Sequence, residues 1–138
     1  MTIEDYDPVV ELWRKTDGIV LSDTDEKQSM NRFLSRNPGL SLVAEGNDEV
    51  IGVVLCSHDG RRGYLHHLAV DSRYRRMGLG SKLVQECLLL LDREGITKCN
   101  IFILEHNESG IAFWKHNGFR LLPHFGWMQS DREYEKKT

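Results

Sequence analysis

The sequence predicts a mixed α/β domain, in which a mostly antiparallel sheet carries one parallel strand pair and is flanked by helices. Two apolar runs lie on either side of Gly46-Asn47-Asp48, a pattern typical of a β-hairpin. Farther along, an apolar run from Tyr64 to Val70, a helical pattern and a further run from Cys99 to Leu104 follow in order. This unit is long enough for a crossover, so its two strands are expected to be parallel with a right-handed connection.

The helices follow from apolar spacing and from capping residues. Apolar residues recur at helical spacing from Ile3 to Trp13, after Thr2 as N-cap, and predict a first helix that ends near Lys15. The other predicted helices span Asp25 to Arg36, Gly78 to Arg93, and a segment that Asn107 or Ser109 caps and Gly118 closes.

The two ends of the chain carry less regular patterns. A last pair of short strands is predicted around Pro123, over Phe119 to Leu122 and Gly126 to Gln129. The segment "MTIEDYD" leaves almost no room for a strand before the first helix. We expect a single domain over residues 1–138, with a charged tail from about residue 130.

Composition and charge exclude several classes of protein. Of 138 residues, 40% are hydrophobic and 28% are charged, as in ordinary globular domains. Uncharged apolar runs such as Leu88 to Leu91 are far too short to span a bilayer, and the acidic N-terminus is unlike a signal peptide. A net charge of −3 disfavours general nucleic-acid binding. We therefore expect neither a membrane nor a nucleic acid as partner.

Cysteine and histidine usage argues against disulfides and metals. Cys56, Cys87 and Cys99 lie in apolar segments, which is typical of buried, reduced thiols in a cytoplasmic protein. The histidines form no metal-binding pattern. Adjacent residues of a strand point to opposite faces, so His66 and His67 are expected to diverge. The sequence predicts no metal site.

The segment "RYRRMGLGS", between the third strand and the following helix, has the features of an anion site. A helix N-terminus leaves backbone N–H groups without partners and carries a partial positive charge. Glycines let those amides approach a phosphate, and arginines add charge-assisted hydrogen bonds. The predicted ligand is a phosphate or pyrophosphate.

Two common phosphate motifs fit this segment poorly. A P-loop needs a glycine ahead of Gly80-Ser81-Lys82 that is missing here. A dinucleotide fingerprint needs a third glycine and a turn directly after the strand, and only Glu105 stands roughly where its ribose-binding acid would be.

A third interpretation is a family resemblance. Arg75-Arg76-Met77-Gly78-Leu79-Gly80 resembles the [Q/R]-x-x-G-x-[G/A] motif of the GNAT N-acetyltransferase superfamily, after a similar strand exit at "LAVD". Asn107 to Phe119, "NESGIAFWKHNGF", is similar to the downstream segment of that family. The hairpin "LVAEGNDEVIGVVL" is similar to its second and third strands. The resemblance covers about Asp5 to Met128.

The resemblance implies a GNAT fold and acetyl-coenzyme A as co-substrate. It places the pyrophosphate on the backbone amides from Arg76 to Ser81, and the pantetheine arm along β-strand backbone with Asn107 on its other side. That pairing requires the two parallel strands to splay apart. The cofactor-binding positions implied are Leu68, Ala69, Val70, Arg75, Arg76, Met77, Gly78, Leu79, Gly80, Ser81, Asn107, Phe113 and Trp114.

The catalytic residues are less well defined, because the chain departs from the family pattern at two positions. Trp114 stands where many members have a proton-donating tyrosine, and Phe102 stands where some have a glutamate base. The base must take a proton from the amine, and His67 is the first candidate because histidine titrates near neutrality. Glu105 and His66 follow. The Leu68 amide is the candidate donor to the oxyanion.

The predicted function is direct acetyl transfer to a primary amine of a small molecule or a protein N-terminus. The small molecule is preferred, because Phe102 and Trp114 replace residues of ribosomal-protein N-terminal acetyltransferases. The alternatives are a non-catalytic coenzyme A-binding module and an interaction protein that binds a phosphorylated partner. Many family members are dimers, so a homodimer is compatible with the resemblance.

Overall fold

The computed structural model of the chain describes residues 1–132 and contains four helices and four strands within them. Short 3-10 turns at Ile3–Asp5, Asp23–Asp25 and Ser72–Tyr74 join the elements. The helices are α1 (Tyr6–Arg14), α2 (Lys27–Arg36), α3 (Leu79–Arg93) and α4 (Glu108–His116), and the strands are β1 (Leu42–Gly46), β2 (Glu49–His58), β3 (Gly63–Val70) and β4 (Cys99–Asn100).

The sheet has the order β1-β2-β3-β4. β1 pairs antiparallel with β2, β2 pairs antiparallel with β3, and β3 pairs parallel with β4. The two-residue turn of the β1–β2 hairpin places Asn47 and Asp48 at φ of 51° and 63°, left-handed values that suit such a turn. The predicted fold class, a mixed sheet with one parallel pair and flanking helices, is confirmed.

Helices cover both faces of the sheet and bury a separate apolar cluster on each. The cluster under α1 and α2 includes Trp13 and Met30, which pack with Val53 of β2 and Ala69 of β3. The cluster under α3 contains these buried residues: Leu40, Val54, Cys56, Leu65, Leu83, Val84, Cys87, Leu91 and Ile96. Side chains of α4 are partly buried against this second cluster.

Two strand predictions near the C-terminus are wrong. β4 ends at Asn100 rather than Leu104, because the chain diverges from β3 after two paired positions. Residues 119–122 and 126–129 form no strand pair. Residues 120–130 are exposed, and only Phe119 packs inward, against Trp114. Residues 133–138 of the predicted charged tail lie outside the described residues.

Candidate active site

The parallel strands β3 and β4, the last two of the sheet, separate after two paired positions and leave one edge of β3 open. In the described part of the chain, β3 and β4 pair only at Gly63 with Cys99 and Tyr64 with Asn100. The Gly63 N–H, which donates to the Lys98 carbonyl at 2.8 Å, closes the base of this opening. From Leu65 onward the backbone of β3 lacks a strand neighbour on that side, so an extended ligand with amide groups can pair with it.

A bulge at His67 changes which side chains share a face. His67 has φ of 51°, and the register between β2 and β3 shifts there. Leu65 and Leu68 consequently pack in the cluster under α3, although strict alternation would put them on opposite faces. His66 and His67 both lie on the α1/α2 face. The expectation that the two histidines diverge is wrong, because the bulge inserts one extra residue between the two leucines.

His67 is held in place by three contacts. Its Nε2 lies 3.0 Å from Asp25 Oδ1, and its ring meets Trp13 edge-on with 5.1 Å between ring centroids. Trp13 Nε1 also donates to the His67 carbonyl at 2.9 Å. An ionised carboxylate only accepts hydrogen bonds, so this contact assigns the proton of neutral imidazole to Nε2 and leaves the Nδ1 lone pair to act as base.

Asp25 is itself fixed by its surroundings. It is 8% exposed, and its Oδ2 accepts a hydrogen bond from the Ser22 N–H at 3.0 Å. The Tyr6 hydroxyl donates to its backbone carbonyl at 2.6 Å, and burial and the nearby Asp25 charge raise the pKa of Tyr6. Sequence reasoning missed Asp25 as a functional residue. Its only local signal is a cap, and nothing in the sequence places it beside a strand 42 residues away.

The predicted phosphate turn has the backbone of an anion site. Gly78, the N-cap of α3, has φ of 78°, and its carbonyl accepts the first helical bond, from Lys82. The amides of Leu79, Gly80 and Ser81 therefore precede the first intrahelical donor. A cleft of about 260 Å³ borders this turn and is lined by Ile51, Tyr74, Met77, Gly78, Leu79 and Lys82.

The three arginines of the turn have different partners. Arg73 bonds to Glu49 at 2.7 Å and to Asp71, and its hydrogen bond lowers the pKa of Asp71 to about 2. Arg75 Nε donates to the Val70 carbonyl at 3.1 Å, which ties the turn to the end of β3. Arg76 is exposed and has φ of 64°. Arg73 thus has a structural role, and Arg75 and Arg76 are left beside the α3 N-terminus.

Helix α4 packs against the N-terminal part of α3. Asn107 caps it, since its Oδ1 accepts from the Gly110 N–H at 3.0 Å. Phe113 packs close to the start of α3, and a Cβ on Gly80 would lie 3.4 Å from its ring. Trp114 packs between Phe113 and Phe119, with ring centroids 5.2 and 5.0 Å away, and is chiefly a core residue.

A second network that sequence reasoning missed joins α4 to α3. Buried Asn117 donates to Ser81 Oγ at 3.1 Å and accepts from Gln85 Nε2 at 3.2 Å. This holds α4 against the phosphate turn. Glu105, by contrast, is exposed in the segment that joins β4 to α4. His67 lies within the open stretch of β3, and the phosphate turn follows the C-terminal end of the same strand. Asn107 makes its hydrogen bonds within the start of α4.

Over residues 1–132, no helix is both long and apolar enough to cross a bilayer. The same residues contain no group of three histidine, cysteine, aspartate or glutamate side chains placed to share a metal ion.

Comparison with known proteins gives the class of protein. Residues 6–119 match the model of the Acetyltransferase (GNAT) family, and the chain belongs to this family. It is an N-acetyltransferase, and the predicted resemblance is confirmed. An acetyltransferase of Pectobacterium atrosepticum is 30% identical over 112 residues, which are 81% of this chain and 79% of that protein. An acetyltransferase of Yersinia pseudotuberculosis is 31% identical over 112 residues, which are 81% of this chain and 79% of that protein.

Solved structures share the fold. The PaiA N-acetyltransferase of Thermoplasma acidophilum, in complex with coenzyme A, superposes with a TM-score of 0.76 at 21% identity. The match covers 91% of this chain and 90% of that one. An aminoglycoside 6'-N-acetyltransferase of Acinetobacter haemolyticus gives a TM-score of 0.74 at 17% identity. This match covers 96% of this chain and 97% of that one.

Proposed function

We propose that the protein uses acetyl-coenzyme A to acetylate the primary amine of a small molecule, with His67 as general base. The observation that carries the proposal is the placement of His67 on the open edge of β3, with its Nε2 3.0 Å from the buried Asp25. Acetyl-coenzyme A supplies a thioester carbonyl for attack by the amine. Family membership favours acetyl transfer over coenzyme A binding alone and over binding of a phosphorylated partner.

The proposed cofactor-binding residues fit a long phosphorylated ligand. The amides at the start of α3 and the side chains of Arg75 and Arg76 would hold the pyrophosphate. The open backbone from Leu68 to Val70 would pair with the amide-bearing arm. Asn107 uses Oδ1 as a helix cap, so its Nδ2 is the group proposed to face that arm.

The chain's own groups would carry the proton and stabilise charge. His67 Nδ1 accepts the proton of the attacking amine, and Asp25 stabilises the imidazolium that forms. The Leu68 amide, directly after the bulge, is the proposed donor to the developing oxyanion. No acid is assigned to Trp114, because an indole N–H does not ionise usefully and this ring packs in the core. Glu105 and His66 remain the alternative bases.

The first test is a calorimetric titration with acetyl-coenzyme A, with NADH as control ligand. Binding of the first and not the second is expected. Turnover is then measured as thiol release over a panel of primary amines, with a peptide N-terminus included. Transfer to small amines supports the proposal. Binding without transfer to any acceptor would refute the catalytic assignment.

The proposal extends to organisation and setting. We propose that the whole chain acts as one domain in the cytoplasm, which agrees with three free cysteines, two of them buried. Sedimentation of the purified protein decides between a monomer and a homodimer.

A further inference from the structure

Four aromatic side chains lie together beside His67, and proton transfer through His67 does not use them. Tyr64 and His66 come from β3, Phe102 from the segment after β4, and Trp127 from the C-terminal segment. We call Tyr64, His66, Phe102 and Trp127 the aromatic cluster. The segment that carries Phe102 reaches the cluster only because β4 stops at Asn100 and diverges.

Three of the rings are nearly parallel and nearly equidistant. The centroids of Tyr64 and His66 are 6.3 Å apart, those of Tyr64 and Phe102 are 6.3 Å apart, and those of His66 and Phe102 are 6.0 Å apart. The angles between their planes are 8°, 16° and 24°. If the three rings were stacked in one column, the centroids of the two outer rings would be twice as far apart as those of neighbouring rings. The rings therefore lie at the corners of a triangle, with their faces in similar directions.

The cluster is accessible on the side away from the strand backbone. Phe102 is 51% exposed and Trp127 is 69% exposed. Trp127 is tilted by 59° against Phe102 with 4.0 Å between centroids, so it borders the three parallel rings. The ring surface that stays exposed to water is unfavourable, and a ligand that covers it gains apolar burial.

The bulge connects the cluster to the proposed base. Because His66 and His67 share the α1/α2 face, the cluster adjoins the imidazole that would take the amine's proton. Burial, and then the charge of His67, lower the pKa of His66, so this ring is neutral at neutral pH. The aromatic cluster thus offers an uncharged surface beside the base, whereas the acidic group at His67, Asp25, is held at its Nε2.

We propose that the aromatic cluster binds the acceptor, and that the preferred acceptor is a primary amine joined to an aromatic ring by a short linker. This inference rests on the proposed function and names its substrate class. Ring stacking adds to simple apolar burial and favours an aromatic ring over a saturated ring of the same size by about 2- to 10-fold. A short linker suits the geometry, since neighbouring strand residues are about 3.3 Å apart.

The test compares two matched acceptors, phenethylamine and cyclohexylethylamine, which differ only in ring saturation. Wild type is expected to show a kcat/KM ratio of about 2 to 10 in favour of the aromatic amine. Phe102→Leu and Trp127→Leu should bring that ratio close to one. Phe125→Leu is the matched control, because Phe125 is 83% exposed in the same segment as Trp127 and makes no ring contact with the cluster; its ratio should stay at the wild-type value.

A binding experiment separates this inference from the proposed function. Calorimetry with each amine on protein saturated with coenzyme A, which has no acetyl group to transfer, should give the same preference and the same response to Phe102→Leu. Preferential binding without any turnover would support the cluster and refute the catalytic proposal. Equal affinity and equal kcat/KM for the two amines would overturn the inference alone. The inference would also be overturned if the leucine variants changed the sedimentation of the protein but left the kcat/KM ratio of the two amines unchanged. The cluster would then belong to an interface between copies of the chain.

Discussion

The phosphate turn gives the sharpest prediction, the substitution Gly78→Glu. Gly78 has φ of 78°, and a Cβ built on it meets no heavy atom within 4 Å. The side chain would therefore point into open space at the N-terminus of α3, where the pyrophosphate is proposed to bind. The substitution should damage ligand binding far more than it damages the fold.

The expected magnitudes separate these two effects. A non-glycine residue in the left-handed region costs about 1–2 kcal/mol of stability. A carboxylate about 6 Å from a phosphate charge, at an effective dielectric constant of about 20, costs about 3 kcal/mol of binding free energy. That is a loss of affinity of about 100-fold for each phosphate charge at that distance. Loss of amide contacts adds to this figure.

Gly60→Glu is the matched control. Gly60 lies in the turn between β2 and β3, has φ of 92°, and likewise has no heavy atom within 4 Å of a built Cβ. Gly60→Glu adds the same charge and a similar backbone strain away from the N-terminus of α3, since its turn lies near the opposite end of that helix. Thermal unfolding should show similar destabilisation of both variants, and calorimetry with acetyl-coenzyme A should show weak binding only for Gly78→Glu. Undiminished affinity in folded Gly78→Glu would refute the placement of the pyrophosphate.

Three further predictions concern the base, the strand opening and pH. Asp25→Asn should lower kcat by about 10-fold or more and leave acetyl-coenzyme A affinity unchanged, because His67 is the only proposed site residue that the Asp25 side chain contacts. Gly63→Ala should cost about 1–3 kcal/mol of unfolding free energy, because its Cβ would lie 2.6 Å from Cδ1 of buried Leu91. His66→Gln should reduce the amount by which the free energy of unfolding falls when the solution is acidified. Burial lowers the pKa of His66 in the folded protein, so below about pH 6.5 the unfolded chain binds more protons than the folded one, and acid favours unfolding.

Each of these predictions has its own control. For Asp25→Asn, steady-state kinetics are paired with calorimetry, and an equal loss of cofactor affinity would contradict a role confined to the base. Gly63→Ala is compared with Gly126→Ala, which meets no heavy atom within 4 Å and should change stability by less than about 0.5 kcal/mol. For His66→Gln, unfolding is followed from about pH 7.5 to about pH 5.5. If the free energy of unfolding changed with pH as steeply in the variant as in wild type, His66 would have no part in the acid sensitivity of the fold.

Local patterns allowed much of the fold to be predicted. The Asn47-Asp48 turn supplies residues that tolerate positive φ, and apolar alternation identifies the strands on both sides. Gly78 at the start of α3 follows from the same preference for left-handed backbone. These features depend on neighbouring residues alone, which is why a single sequence reveals them.

Features that depend on distant segments could not be predicted. The length of β4 depends on where the backbone after Asn100 leaves its neighbour, and an apolar run looks the same whether or not it is paired. The bulge at His67 appears only as a register shift against β2. Without that shift, strict alternation puts the two histidines on opposite faces.

The sequence by itself determined the order of the elements up to α4, the parallel crossover and the glycine turn at the start of α3. It did so because turn chemistry, capping and apolar periodicity are local. Only the tertiary structure decided that Asp25 meets His67, that Arg73 is used in ion pairs, and that Phe102 joins the aromatic cluster. Those contacts arise when strands and helices pack, and packing brings together side chains that no spacing along the chain relates.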